Sequence, residues 1–245
     1  MTQQTSGAVA LVTGANKGIG FRIARQLALA GLTVLVGSRD PDRGRGAVEQ
    51  LVGESLDARL LVLDVTDAAS LATAGARVRR DFGRLDVLVN NAGIRPGFDA
   101  PSRVTVEDLR RAYETNVFGV VATTNTFLPL LRESAGGRIV NVSSDLGSMA
   151  GLTDPEWEWA GVNALAYQSS KTAQNAATVM YAKELRDTRI KVNAVNPGFR
   201  ATDMNTMPGS GDPAEGAAVA TRMALLDEDG PTGEFHTDDG GTYPW

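Results

Sequence analysis

The chain has no cysteine, which excludes disulfides, thiolate metal centres and a cysteine nucleophile. Histidine is almost as scarce: His236 stands alone near the C-terminus. One imidazole cannot build a multi-histidine metal cluster, and its position gives a Ser-His-Asp triad little footing. A strand-end or surface role is expected for it, and no metal site. No apolar run reaches the ~18 residues of a membrane helix, and residues 1–7 are polar with no hydrophobic signal core. The expectation is a cytoplasmic protein with no membrane partner. An excess of positive charge is missing too. Lys and Arg number 24 against 29 Asp and Glu, a net charge of −5, with a pI near 5.0. That balance argues against a nucleic-acid or anionic-lipid surface.

What remains has the make-up of an ordinary globular protein, 42% hydrophobic and 22% charged over 245 residues. Apolar strand candidates occupy 8–13, 33–37, 59–64, 85–90, 138–143 and 190–196, with a short, weak seventh at 234–237. Helical patterns lie between them. Ile19, Ile23, Leu27 and Ala30 mark one apolar stripe, and 104–131 and 167–185 carry longer ones. Near-continuous apolar strands separated by helices predict a parallel sheet covered on both faces. The fold class expected is α/β, a single doubly wound Rossmann domain over 1–245 with about seven strands.

Thr13-Gly14-Ala15-Asn16-Lys17-Gly18-Ile19-Gly20 sits where the first strand passes into the first helix. Backbone N–H groups and the helix dipole can receive an anion there, and glycine lets a pyrophosphate approach. The spacing is Gly-x-x-x-Gly-x-Gly, and in this context it predicts dinucleotide binding. The end of the second strand addresses which dinucleotide. An NAD site places an acidic residue there for the ribose hydroxyl. Here the strand ends Gly37-Ser38-Arg39, with Lys17 inside the glycine turn. Two cations suit a 2′-phosphate, so NADP(H) is expected ahead of NAD(H). Asp40 before Pro41 reads instead as a helix N-cap.

Tyr167-Gln168-Ser169-Ser170-Lys171 supplies a proton donor. Residues four apart share a helix face, and a nearby ammonium favours the phenolate. The tyrosine pKa is thereby expected to fall toward the range of general acid–base work.

Five motifs in order make the chain similar, nearly end to end, to the short-chain dehydrogenase/reductase family. They are Thr13-Gly14-x-x-x-Gly18-Ile19-Gly20; Asp64-Val65; Asn90-Asn91-Ala92-Gly93; Ser144 with Tyr167-x-x-x-Lys171; and Asn196-Pro197-Gly198 followed by Thr202. The Asn-Lys-Gly-Ile-Gly form of the first resembles NADP-dependent carbonyl reductases. The resemblance implies a catalytic set of Asn116, Ser144, Tyr167 and Lys171. It also implies cofactor contacts from Gly14, Asn16, Lys17, Gly18, Ile19, Gly20, Ser38, Arg39, Asp64, Val65, Asn91, Ala92, Gly93, Pro197, Gly198 and Thr202, with Tyr167 and Lys171 shared. Asn90 would hold the fourth strand near the cofactor, and Asn116 would complete a proton relay through water. Ser143 and Ser144 point to opposite faces of a regular strand; the family's serine is the second, leaving Ser143 to packing.

The implied reaction is NADP(H)-dependent reduction of a ketone or aldehyde to an alcohol. Alternatives are an NAD-dependent alcohol dehydrogenase working oxidatively, an enzyme using the tyrosine for dehydration or epimerisation, and a non-catalytic NADP-binding sensor or scaffold. Two segments depart from the family pattern. An insert at 145–166 separates Ser144 from Tyr167, with Trp157 and Trp159 among acidic residues. A Gly-, Pro- and Met-rich segment at 199–215 reads as a substrate lid. Trp157, Trp159 and Phe199 are the expected walls of a pocket for a small-molecule carbonyl substrate. Arg200 stands where the family commonly has an aliphatic residue. Family members pair through the helices here at 104–131 and 167–185, so a homodimer or homotetramer is expected, with the 234–245 tail at the interface. A monomer is the alternative, because the insert can cover that face.

Overall fold

The computed structural model describes residues 7–205 and 211–245. Seven parallel strands form one sheet in the order β3-β2-β1-β4-β5-β6-β7. They are β1 (Val9–Val12), β2 (Thr33–Ser38), β3 (Ala58–Val62), β4 (Val87–Asn90), β5 (Arg138–Val142), β6 (Lys191–Asn196) and β7 (Phe235–Thr237). The short seventh candidate is thus a true strand, with Ala194 opposite Phe235 and Val195 opposite His236. His236 is buried within it rather than placed on the surface, with Nε2 3.2 Å from Glu234 Oε2.

The apolar strands are explained by burial on both sides. Ala10 and Val12 enter one core with Ile23, Ala24 and Leu27 of α1 (Gly18–Leu29), Ala47 and Leu51 of α2 (Pro41–Gly53), and Ala217 and Ala220 of α8 (Pro213–Ala224). Val9 and Leu11 point the other way. They meet Leu71 and Val78 of α3 (Ala68–Phe82), Phe127 and Leu131 of α5 (Gly119–Leu131), and Ala182 of α7 (Leu165–Glu184). Asp40 caps α2 as its sequence suggests: Oδ1 accepts the N–H groups of Asp42 and Arg43, and Pro41 follows. α6 (Met149–Leu152) is a short helix inside the 145–166 insert. No helix of the described residues is long and apolar enough to cross a membrane.

One predicted helix differs. The stripe over 104–131 is split into α4 (Val106–Tyr113), a π-helical turn at Glu114–Phe118, and α5. The Thr105–Asp108 capping box starts α4. The π turn carries Asn116, whose side chain is engaged from both sides by Ile94: Oδ1 accepts its N–H and Nδ2 donates to its carbonyl, each at 2.9 Å. Such turns insert an extra residue into the helix and are frequent at functional sites.

The chain fills the β1, β2, β3 half first and then crosses to β4 beside β1. Ligands of open parallel sheets bind where the strand order reverses, beyond the carboxyl ends. Here that crevice lies between Thr13 and Asn91.

Candidate active site

At this crevice the ends of β1 and β4 are pinned together. Thr13 Oγ1 accepts the N–H groups of Asn91 and Ala92 at 3.0 Å each, while Asn91 Nδ2 donates to the carbonyls of Thr13 (2.8 Å) and Gly14 (3.2 Å). The Asn91 side chain is therefore committed to shaping the glycine turn. Gly14 adopts φ 63°, in the left-handed region that favours glycine. A Cβ on Gly20 would lie 2.4 Å from Asn91 Nδ2 and 2.6 Å from the Gly14 carbonyl oxygen. The turn thus leaves a bare cradle at the start of α1. Lys17, the N-cap, makes no side-chain cap bond there, so the first-turn N–H groups can serve an anion.

Next to the cradle a cavity of ≈ 250 Å³ is lined by Asn16, Lys17, Ser38, Arg39, Asp40 and Arg43. Arg43 adds a third cation that the sequence reading missed. It stands three residues past the Asp40 cap, and its Nε lies 3.3 Å from an Asp40 carboxylate oxygen. That first-turn position, aimed back at the strand end, was the available signal. Ser38 Oγ donates to the Asp40 carbonyl at 2.7 Å. Asp64, two residues past β3, accepts the N–H and hydroxyl of Thr66 on Oδ1 at 2.9 and 2.7 Å. Val65 packs on Gly119, where a Cβ would meet Val65 Cγ2 at 2.9 Å. A glycine cradle at a helix N-terminus with three cations beside it fits a dinucleotide carrying an extra phosphate.

The two serines behave differently, as their alternation requires. Ser143 is buried and donates to Asn175 Oδ1 of α7 at 2.6 Å. Ser144 opens a 3₁₀ turn at Asp145–Gly147 and lies beside the Tyr167 phenol, close enough to favour its ionisation. The turn is fastened to α7 by Thr172 Oγ1 (3.0 Å) and Asn175 Nδ2 (3.2 Å), both donating to the Gly147 carbonyl.

Lys171 is buried, and its Nζ lies 5.7 Å from the Tyr167 ring centroid. It donates to the Val142 carbonyl (2.7 Å) and to Gln174 Oε1 (2.8 Å). The expected fall in the tyrosine pKa is not what this geometry gives. Burial pushes the Tyr167 phenol up to about 12, with the Ser144 hydroxyl and the Arg95 guanidinium offsetting part of the rise. Burial also pushes Lys171 down to about 7. Desolvation is the largest cause of both shifts. Asn116 Nδ2 donates to Ser170 Oγ at 2.9 Å. Its side chain thereby ties the Ile94 loop to α7 beside Tyr167 and Lys171.

Arg95 and Gln174 also escaped the sequence reading. Arg95 follows the Asn-Asn-Ala-Gly-Ile run, stacks over Phe98 at 4.1 Å and donates to the Met204 carbonyl. Gln174 is one helical turn past Lys171, a spacing that could have flagged it.

The wall residues separate. Trp159 and Phe199 come together, with ring centroids 5.7 Å apart. Trp157 turns instead to Gly151, where a Cβ would lie 3.1 Å from its ring. The C-terminal tail folds back on its own chain. Trp245 stacks on Phe235 at 5.5 Å, and the Pro244 carbonyl accepts from Ser148 Oγ at 2.7 Å. Of the 199–215 segment, 206–210 lie outside the described residues. The rest reaches the glycine turn: Thr202 Cγ2 is 3.6 Å from where a Gly18 Cβ would stand, and Asp203 pairs with Lys17. Arg200 joins the loop after Pro197 to the start of α8 and the tail, donating to the Pro197 carbonyl (2.7 Å) and to the carboxylates of Glu215 and Asp238.

Residues 8–211 match the family model for short chain dehydrogenase. The chain is 36% identical to short-chain dehydrogenase/reductase 1 of Saponaria officinalis, over 93% of each sequence. It is 35% identical to carbonyl reductase [NADPH] 1 of Sus scrofa, over 97% of each. Among solved structures, NADPH-bound carbonyl reductase from chicken fatty liver superposes with a TM-score of 0.86 at 30% identity, covering 98% of this chain and 99% of that one. With the crevice, the glycine cradle and the Ser-Tyr-Lys cluster on one side of the same sheet, this chain belongs to the short-chain dehydrogenase/reductase family of NAD(P)-dependent oxidoreductases.

Proposed function

We propose that this protein reduces a ketone or aldehyde to an alcohol using NADPH. The observation that carries the reading is a buried phenol, Tyr167, beside the Ser144 hydroxyl on the crevice that holds the glycine cradle. NADP(H) is the cofactor: Lys17, Arg39 and Arg43 around one cavity suit the 2′-phosphate, and carbonyl reductases named for NADPH are among the relatives. Gly14, Gly18 and Gly20 would hold its pyrophosphate, and Lys171 its nicotinamide ribose. When bound, the nicotinamide supplies a hydride to the carbonyl carbon.

The protein's own share is proton transfer and charge stabilisation. A phenol held near 12 is fully protonated at neutral pH, the state from which an acid donor must start. Its O–H is delivered to the substrate oxygen as negative charge develops there. Ser144 donates a hydrogen bond to the same oxygen. The resulting phenolate is stabilised by Lys171, an ammonium in part near neutrality because its pKa is about 7. Trp159 and Phe199 form an apolar wall that favours a bulky carbonyl substrate. The site serves a cytoplasmic enzyme, as a cysteine-free chain needing no oxidising compartment allows. A homodimer or homotetramer formed through α5 and α7 belongs to the same reading, supported by the exposed Met180 of α7 and by Phe118, exposed in the π turn that leads into α5; light scattering at micromolar protein tests it.

The test of function is NADPH depletion against benzaldehyde, cyclohexanone, menadione, a ketosteroid and acetylacetone, with NADH in parallel. Turnover with NADPH of at least one, each product being the alcohol or quinol, is expected. Tight NADP binding with no turnover across the panel would instead favour the sensor alternative.

A further inference from the structure

Ser144 is followed directly by a carboxylate that claims its hydroxyl hydrogen. Ser144 Oγ donates to Asp145 Oδ1 at 3.0 Å, and the Leu146 N–H bridges the two, reaching Asp145 Oδ1 at 2.8 Å and Ser144 Oγ at 3.2 Å. A serine hydroxyl has one hydrogen to give. To polarise a carbonyl oxygen, Ser144 must aim that hydrogen at the substrate. An ionised carboxylate is the stronger acceptor and holds it back.

We propose that Asp145 is a positioning residue that sets the direction of the Ser144 hydroxyl, withdrawing it from the substrate when ionised and releasing it when protonated. The inference rests on the carbonyl-reductase reading. A protonated Asp145 carboxyl donates its own O–H to Ser144 Oγ, so the serine hydrogen turns to the substrate oxygen. Asp145 takes its proton from solvent and keeps it; the proton that ends on the product comes from Tyr167, and no covalent bond changes at Asp145 beyond its own O–H. The surroundings make the switch accessible. Burial raises the Asp145 carboxyl above the usual carboxylate range, with Glu158 of the insert adding to the rise. The Ser144 hydroxyl, the Leu146 N–H and the Trp159 side chain oppose it. Tyr167 faces it from α7 and Tyr243 from the tail, both feeling its charge. Arg95 lies near Tyr167.

The experiment is the pH dependence of kcat for NADPH-driven reduction, using the fastest carbonyl of the panel above, in wild type, D145N, S144A and S144A/D145N. Wild-type kcat falls as Asp145 ionises, in a carboxylate limb distinct from the one set by Lys171. D145N loses that carboxylate limb and exceeds wild type by roughly tenfold at neutral pH, less than the roughly 10²- to 10³-fold effect of a whole oxyanion donor. In the S144A background the D145N change is within about twofold, because the effect passes through the serine hydroxyl. D145S gives the same readout should D145N fold poorly. An unchanged carboxylate limb in both D145N and D145S, or an equal gain in the S144A background, overturns the inference while leaving carbonyl reduction intact. Absence of turnover by wild type overturns both.

Discussion

At the scale of single residues, the site combines groups legible from spacing with groups visible only across elements. Tyr167 and Lys171 share a helix face because they are four apart, and Ser144 follows from strand alternation with the family resemblance. Arg43, Arg95 and Asp145 belong to no periodic pattern; they acquire meaning when a neighbouring element faces them, whereas Gln174 follows Lys171 by one helical turn. The direction of the tyrosine shift was illegible for a related reason. Spacing reports the Tyr–Lys separation but not the burial that outweighs it. Ser144→Ala is expected to lower kcat roughly 10²-fold, since it removes one donor to the developing oxyanion. NADPH binding, followed by nicotinamide fluorescence, stays within about threefold. Arg39→Asp is expected to weaken NADPH binding at least ~10-fold while leaving NADH within about threefold, because it replaces a phosphate partner with a like charge. Equal NADPH affinity in the variant, by titration calorimetry, would remove Arg39 from the phosphate site.

At the scale of elements, all seven strands and the Asp40 cap were readable because both faces of the sheet are buried and the punctuation is strong. The exception was 104–131, where a side-chain grip on the Ile94 loop accompanies a π turn that hydrophobic periodicity does not encode. The turn at Asp145–Gly147 shows how tightly elements are fitted around the chemistry. A Cβ on Gly147 would lie 2.7 Å from Lys171 Cβ and 2.8 Å from the Lys171 backbone carbon. Gly147→Ala must therefore push the serine turn off α7. It is expected to lose about 1–3 kcal/mol of stability, as overpacking does, and to lower kcat by more than Tm alone explains. Thermal unfolding and NADPH oxidation on the same preparation check both. Wild-type turnover in a fully folded variant would show that the turn and α7 can separate without cost.

At the scale of the whole molecule, burying two titratable groups couples folding to pH. Lys171 has a folded pKa of about 7 against 10.5 ordinarily. Between those values the unfolded chain holds more protons, so this group makes stability rise with pH; below about 7 it contributes no slope. Tyr167 acts in a higher window, from 10.0 to about 12, where the folded state keeps its proton and stability falls as pH rises. The cofactor-free protein is thus expected to gain urea resistance from about pH 7 to about pH 9, and Lys171→Met to lose most of that gain. An equal gain in the variant would place its origin elsewhere. The fold, the cradle and the acid donor meet in one claim, that Tyr167 protonates the oxygen of a carbonyl reduced by NADPH. Its most direct measurement is NADPH oxidation with the best panel substrate by wild type and Tyr167→Phe, alongside NADPH binding to each. The account predicts binding within about threefold and a loss of turnover of roughly 10²- to 10⁴-fold; undiminished turnover by Tyr167→Phe would contradict it.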